Sequence, residues 1–184
     1  MTHARIALAL VAVTACRLVP AETNLYASGT RLPELAAFEA QRSSNDCGVA
    51  AATILLRLLG TEDITYETLR KSVSPSGRGV TLAEMRKMLD AHGLRTEGVR
   101  LTPGALKTVA LPIIAWLPTE HYVVVESADT ADVIVYDPGR GVWRLTRPQL
   151  WQIWDGTALV PAMALMNPSI NLVSQSGPTL PDRF

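Results

Sequence analysis

Hydrophobic and polar positions divide the chain into a helical first part and a strand-rich second part. From Gly48 to Leu59 nearly every position is apolar, which is too continuous for a surface helix and predicts a buried one. Ser43, Ser44, Asn45 and Asp46 ahead of this run are residue types that cap helix N-termini, and Gly60 behind it is a C-terminal stop. Thr65 to Val73 predicts a short second helix, and Ser74 to Gly79 a loop. Thr81-Leu-Ala-Glu84 has the spacing of a capping box. Leu82, Met85, Met88 and Leu89 then follow helical periodicity up to His92-Gly93, which predicts a third helix.

Beyond Gly93 the period changes. Leu94 to Leu101 reads as a strand, and Thr102 and Pro103 then cap and open a short helix. Leu111 to Leu117 is a second strand, with its proline near the start, where a lost N–H does least harm. His121 to Glu126 and Asp132 to Asp137 are strand candidates joined by Ser127 to Ala131, a hairpin pattern. Pro138 to Gly141 makes a turn, Val142 to Leu145 a strand, Thr146 to Trp154 a short helix and Thr157 to Met166 a last strand. Helices first and an antiparallel run afterwards predict an α+β domain, with N-terminal helices packed on a C-terminal antiparallel sheet. The domain is expected over residues 40–166. Residues 22–39 read as a linker with a turn around Leu35 to Phe38, and 167–184 as an unstructured tail.

At 184 residues the chain accommodates one such domain. Its 17 basic and 17 acidic residues occur without blocks, so it carries no electrostatic footprint for nucleic acid or an anionic membrane surface. Residues 1–21 look like an export signal: Arg5 precedes the apolar segment Ile6 to Ala15, which is too short to span a bilayer. Val13-Thr-Ala-Cys16 resembles a bacterial lipobox and predicts a lipid anchor at Cys16, while Val19-Pro-Ala21 offers an ordinary cut instead. Either outcome implies a periplasmic or cell-envelope protein whose mature chain has no transmembrane domain. Cys47 is then its only free thiol, and no intrachain disulfide can form.

That thiol sits where chemistry is favoured. In the first turn of a helix, unpaired N–H groups and the helix dipole stabilise a thiolate. Alone, a cysteine beside an apolar run is as readily an inert core residue. The hairpin supplies partners. In the symmetric register about Asp129, His121 lies directly opposite Asp137, with Cβ atoms about 4.5–5.5 Å apart on one face. Val123, Val125, Val133 and Val135 share that face and would receive the Cys47 helix. Cys47 as nucleophile, His121 as general base, Asp137 as its orienter and Gln41 as an oxyanion donor would cover the roles of acyl transfer. A metal site on Cys47, His121 and Asp137 lacks a closely spaced ligand pair, so no metal or other cofactor is expected. His92 reads as a helix-end residue, His3 lies in the signal, and Trp143, Trp151 and Trp154 read as packing residues.

Gln41, Asp46-Cys47-Gly48 opening an apolar helix, His121-Tyr-Val-Val-Val and Asp137-Pro138 before a Gly-containing turn resemble the peptidase C39 family of bacteriocin-processing, double-glycine leader peptidases. The resemblance covers about Ala40 to Val160 and includes Trp154-Asp-Gly156 before the terminal strand. It implies a papain-like fold and a cysteine peptidase with Cys47, His121, Asp137 and Gln41 in those roles. It also implies cleavage of a peptide or protein substrate after Gly-Gly or other small residues. Two features depart from the family pattern: the export signal, which predicts a stand-alone peptidase outside the cytoplasm, and Glu120 before His121, where small or amide residues are common. Other acyl transfer on the same residues, such as amide hydrolysis or transpeptidation, and a catalytically silent peptide-binding module are the competing readings.

Overall fold

The computed structural model describes residues 26–61, 63–73, 79–127 and 129–165. The export signal with Cys16, the 167–184 tail and most of the Ser74 to Gly79 loop lie outside them. A seven-stranded antiparallel sheet carries the N-terminal helices on one face, as the order of elements predicts. The strands are β1 (Thr30–Leu32), β2 (Thr96–Arg100), β3 (Ile113–Leu117), β4 (His121–Ser127), β5 (Asp132–Asp137), β6 (Gly141–Thr146) and β7 (Thr157–Pro161). Their order in the sheet is β1-β6-β5-β4-β3-β7-β2. The helices are α1 (Cys47–Leu58), α2 (Tyr66–Lys71), α3 (Leu82–Ala91) and α4 (Arg147–Ile153).

Continuous apolarity buries α1 from Cys47 to Leu56. Thr53 survives there because its hydroxyl donates back to the Val49 carbonyl at 2.9 Å. Arg57, at the last turn, reaches out to Glu39 at 2.9 Å and to the Phe38 carbonyl at 3.2 Å. Thr81 and Glu84 cap α3 reciprocally, and Thr146 and Gln149 do the same for α4. The segment opened by Thr102 and Pro103 forms only a 3₁₀ turn, Ala105–Lys107, and β7 ends at Pro161 in another, Ala162–Leu165.

Two expectations are corrected. Residues 22–39 are not simply a linker: β1 forms the edge of the sheet against β6, with Thr30 opposite Arg144 and Leu32 opposite Val142. Tyr26 is buried and stacks on Trp143 with ring centroids 5.0 Å apart. The expected turn is present, closed by Phe38 N donating to Leu35 O at 2.8 Å.

Helix α1 also lies on the opposite face of the β4–β5 hairpin from the one expected. It shares a core with Ile114 of β3, Leu159 of β7 and the even positions Tyr122, Val124 and Tyr136 of β4 and β5, together with Met85, Met88 and Leu89 of α3. Val123, Val125, Val133 and Val135 point the other way, into a second core with Leu101, Leu106, Leu150 and Trp154. The sheet is therefore covered on both faces. The connection from β2 to β3 and helix α4 fill the side that an order of helices first, strands afterwards leaves unassigned.

Candidate active site

Asp46 precedes α1 but does not cap it with its side chain. Its carboxylate turns back instead, accepting from Arg42 N at 3.1 Å and Ser43 N at 3.0 Å, and from the Tyr66 hydroxyl of α2. This closes the loop after Gln41 and seats Cys47 as the first residue of the helix. Cys47 is only 7% exposed. Gly48 behind it is a close-approach position: a Cβ there would stand 3.0 Å from Met85, 3.1 Å from Val80 and 3.3 Å from Tyr122, so even a methyl group would press on these neighbours.

His121 opens β4, opposite Leu117 of β3. The hairpin register differs from the symmetric one. Val124 faces Tyr136 and Val125 faces Val135, and extending that pattern sets Asp137 beside Val123, two residues from His121. The cause is Asp129, whose Oδ1 accepts from Ala131 N at 2.7 Å and Asp132 N at 2.8 Å, an Asx turn that moves the hairpin's centre on by one residue. A two-residue displacement preserves parity, so His121 and Asp137 keep a common face as diagonal neighbours. By alternation it is the face of the second core. At the open end of β4, however, the imidazole faces both groups: Nε2 lies 2.7 Å from Asp137 Oδ1, and the Cys47 side chain is near enough to favour the charged ring.

Asp137 is wholly buried and saturated with donors. Oδ1 accepts from His121, from Gly139 N at 2.7 Å and from Arg140 N at 3.0 Å. Oδ2 accepts from the Tyr26 hydroxyl at 2.8 Å and from Arg140 Nη1 at 3.4 Å. Burial would raise its pKa, yet the bond and charge of His121, then Tyr26 and Gly139, hold it below the usual carboxylate value. Burial likewise opposes charge on His121, but its interactions with Asp137 and Cys47 outweigh it and raise the imidazole to about 9. The imidazole is thus cationic at neutral pH. An ionised carboxylate can only accept, so Nε2 carries a proton toward Asp137 and Nδ1 is left to exchange one with the thiol.

Gln41 is tied to the same turn by its backbone N, which donates to Pro138 O at 2.9 Å. Its Oε1 is buried beside Gly139, where an added Cβ would stand 3.2 Å from it and 3.4 Å from Asp137 Oδ1. All four residues singled out in the sequence therefore meet at one end of the sheet, where the N-terminus of α1 arrives. Among the described residues, no group of three or more His, Cys, Asp or Glu side chains is arranged to hold a metal ion. His92 caps the end of α3, away from the site, and Trp143 and Trp154 pack as expected. Sequence reasoning missed Tyr26, for which no local signal exists; the turn after Asp137 is where the sequence predicts one, and its Gly139 and Arg140 N–H groups donate to Asp137 itself.

A model of the peptidase C39 family matches residues 36–165. The chain belongs to the peptidase C39 family. It is a cysteine peptidase on a papain-like fold. Among its relatives, the probable functional amyloid protease FapD of Pseudomonas fluorescens is 26% identical over 153 residues, covering 74% of this chain and 68% of that protein. The lactococcin-G-processing and transport ATP-binding protein LagD of Lactococcus lactis is 30% identical over 140 residues, covering 72% of this chain. The chain spans only 20% of LagD's length, and 20% of that of a putative ABC transporter ATP-binding protein of Mycoplasma genitalium. Among solved structures, a double glycine motif protease from an AMS/PCAT transporter, in complex with the leader peptide, has the same fold. It shows a TM-score of 0.59 at 21% identity, over 75% of this chain and 94% of that one. The peptidase domain of Streptococcus ComA gives 0.57 at 22% identity, over 67% and 96%. Among the described residues, no helix is long and apolar enough to cross a membrane.

Proposed function

We propose that this peptidase hydrolyses an exported peptide or protein through a Cys47–His121–Asp137 triad, cutting after Gly-Gly or similarly small residues. The observation that carries the reading is the imidazole of His121, which bonds the buried Asp137 carboxylate through Nε2 at 2.7 Å and lies close enough to Cys47, at a helix start, for the sulfur to favour its charged form. In the first step the Cys47 sulfur, as thiolate, attacks the scissile carbonyl carbon. The negative charge that develops on the carbonyl oxygen is met by the backbone N–H of Cys47 and the side-chain NH2 of Gln41. Collapse of that intermediate breaks the C–N bond, and the Nδ1 proton of His121 passes to the departing amine. Water then attacks the thioester and gives one proton to Nδ1; collapse breaks the C–S bond, releases the acid product and restores the Cys47 thiolate beside the imidazolium. Throughout, Asp137 keeps the Nε2 proton and fixes the ring's tautomer.

The preference for small residues draws on the double glycine motif protease that shares this fold. Export draws on the apolar segment Ile6 to Ala15 and the lipobox-like Val13-Thr-Ala-Cys16. Incubating the purified protein with peptides that differ only in Gly-Gly, Ala-Ala or Leu-Leu at the centre, and reading products by mass spectrometry, tests the first point. Cleavage after Gly-Gly that vanishes in Cys47→Ala is expected, whereas equal cleavage of Leu-Leu would contradict the specificity. Labelling cells with radioactive palmitate tests the second: label lost in Cys16→Ser supports the anchor, and an unlabelled wild-type protein refutes it.

A further inference from the structure

We propose that Tyr26 is a positioning residue of this site, its buried hydroxyl fixing the carboxylate that in turn holds His121. The inference rests on the triad reading above. The two oxygens of Asp137 are divided: Oδ1 takes His121 Nε2, and Oδ2 takes the Tyr26 hydroxyl at 2.8 Å. The Gly139 and Arg140 backbone donors lie within three residues of Asp137 and move with it. Arg140 Nη1 is longer, at 3.4 Å, on a side chain 42% exposed. Tyr26 approaches from elsewhere in the chain, 111 positions away, and is 1% exposed. It therefore pins the rotation of the carboxylate from outside the turn that bears it.

Tyr26 is itself held from several sides. Its ring stacks on Trp143, its carbonyl accepts from Gly29 N at 2.8 Å, and Gln149 Nε2 bonds the Ser28 carbonyl at 2.7 Å, just before β1 docks on β6. A purely structural aromatic here would be served by phenylalanine, because burying a hydroxyl is unfavourable unless it is bonded. On a carboxylate that bond is charge-assisted and directional. Tyr26 also lies upstream of the stretch that matches the family, so the N-terminal segment works as part of the site rather than as a tether.

The test is Tyr26→Phe in the full chain, which keeps the stacked ring. Turnover of a cleavable peptide should fall about ten- to one-hundred-fold in kcat with KM within two-fold, the scale of one lost charge-assisted bond. The His121 ring, followed by NMR and assigned with His121→Ala, should titrate at higher pH, since a carboxylate short of one donor holds the imidazolium more tightly. On an Asp137→Asn background, Tyr26→Phe should leave that titration unmoved, because the two residues act through one bond. Should Tyr26→Phe not fold, 3-fluorotyrosine at position 26 keeps the shape with a more acidic hydroxyl and should move the titration to lower pH. Wild-type kcat together with an unmoved titration in Tyr26→Phe, no movement with fluorotyrosine, or an equal effect on the Asp137→Asn background would overturn the inference. If instead Asp137→Asn is itself fully active, the triad reading fails first, and Tyr26 falls with it.

Discussion

The nucleophile half and the base half of the site are held by different kinds of interaction. Around Cys47 and Gln41 the contacts are local and partly exposed: Asp46 closes the loop onto Arg42 and Ser43, and Arg42 lies 4.1 Å over the Tyr66 ring and pairs with Glu67. Around His121 they are buried and long-range, converging on a carboxylate with no exposed surface. Gln41 N on Pro138 O joins the two halves. Replacing Cys47 itself should remove a reacting group while leaving the fold intact, whereas replacing Asp137 should affect chemistry and stability together.

The most damaging variants sharpen this contrast. Cys47→Ala should lower turnover by about 10⁴-fold or more, with little loss of melting temperature, because a small residue replaces a small one. Asp137→Asn should cost about 10²–10⁴-fold in kcat and, in addition, about 2–3 kcal/mol of stability in denaturant titration, since a buried acceptor for five donors is changed. An Asp137→Asn protein as stable as wild type would break the comparison. Asp46→Ala should reduce activity about ten-fold and stability by about 1–3 kcal/mol, because Arg42 N, Ser43 N and the Tyr66 hydroxyl lose their acceptor. Gly139→Ala should act more weakly, by a few-fold in kcat, since its methyl would press on both Gln41 and Asp137. Glu67→Gln, at the exposed rim, should leave the melting temperature unchanged, and the pair it breaks should matter less still in high salt.

The pH dependence of stability follows from the same pair. His121 is raised from its ordinary value to about 9, so its contribution is fully present below the unfolded value of about 6.5 and is lost as pH rises through about 9. Asp137 is depressed, so its contribution is present above about 3.9 and is lost as pH falls through the native value. Melting temperature should therefore decline from pH 7 toward pH 9.5 in the wild type, and this decline should flatten in Asp137→Asn.

Local signals in the sequence account for much of the nucleophile half. Capping boxes, the apolar run of α1 and its stop at Gly60 each express short-range propensity, and the structure follows them. The His121–Asp137 pairing survived a wrong register because the Asp129 turn displaced it by two residues, an even number that conserves faces. The face given to α1 was wrong because both faces of β4 and β5 are apolar, so alternation does not distinguish them. Asp46 has the residue type of a cap, but the two backbone donors before it and the Tyr66 hydroxyl compete for the same carboxylate. Tyr26 is 111 residues from its partner and is brought there by a three-residue edge strand, which carries almost no signal of its own.

The most direct test of the account is the pH dependence of Cys47 alkylation by iodoacetamide in wild type and His121→Ala, followed by peptide mass spectrometry so that Cys16 is counted separately. Rapid alkylation at pH 6, where an ordinary thiol of pKa about 8.5 is almost wholly protonated, should disappear when His121 is removed. Slow alkylation at pH 6 in the wild type, with a profile unchanged by His121→Ala, would mean that the thiol and the imidazole do not work together, and the triad would have to be abandoned.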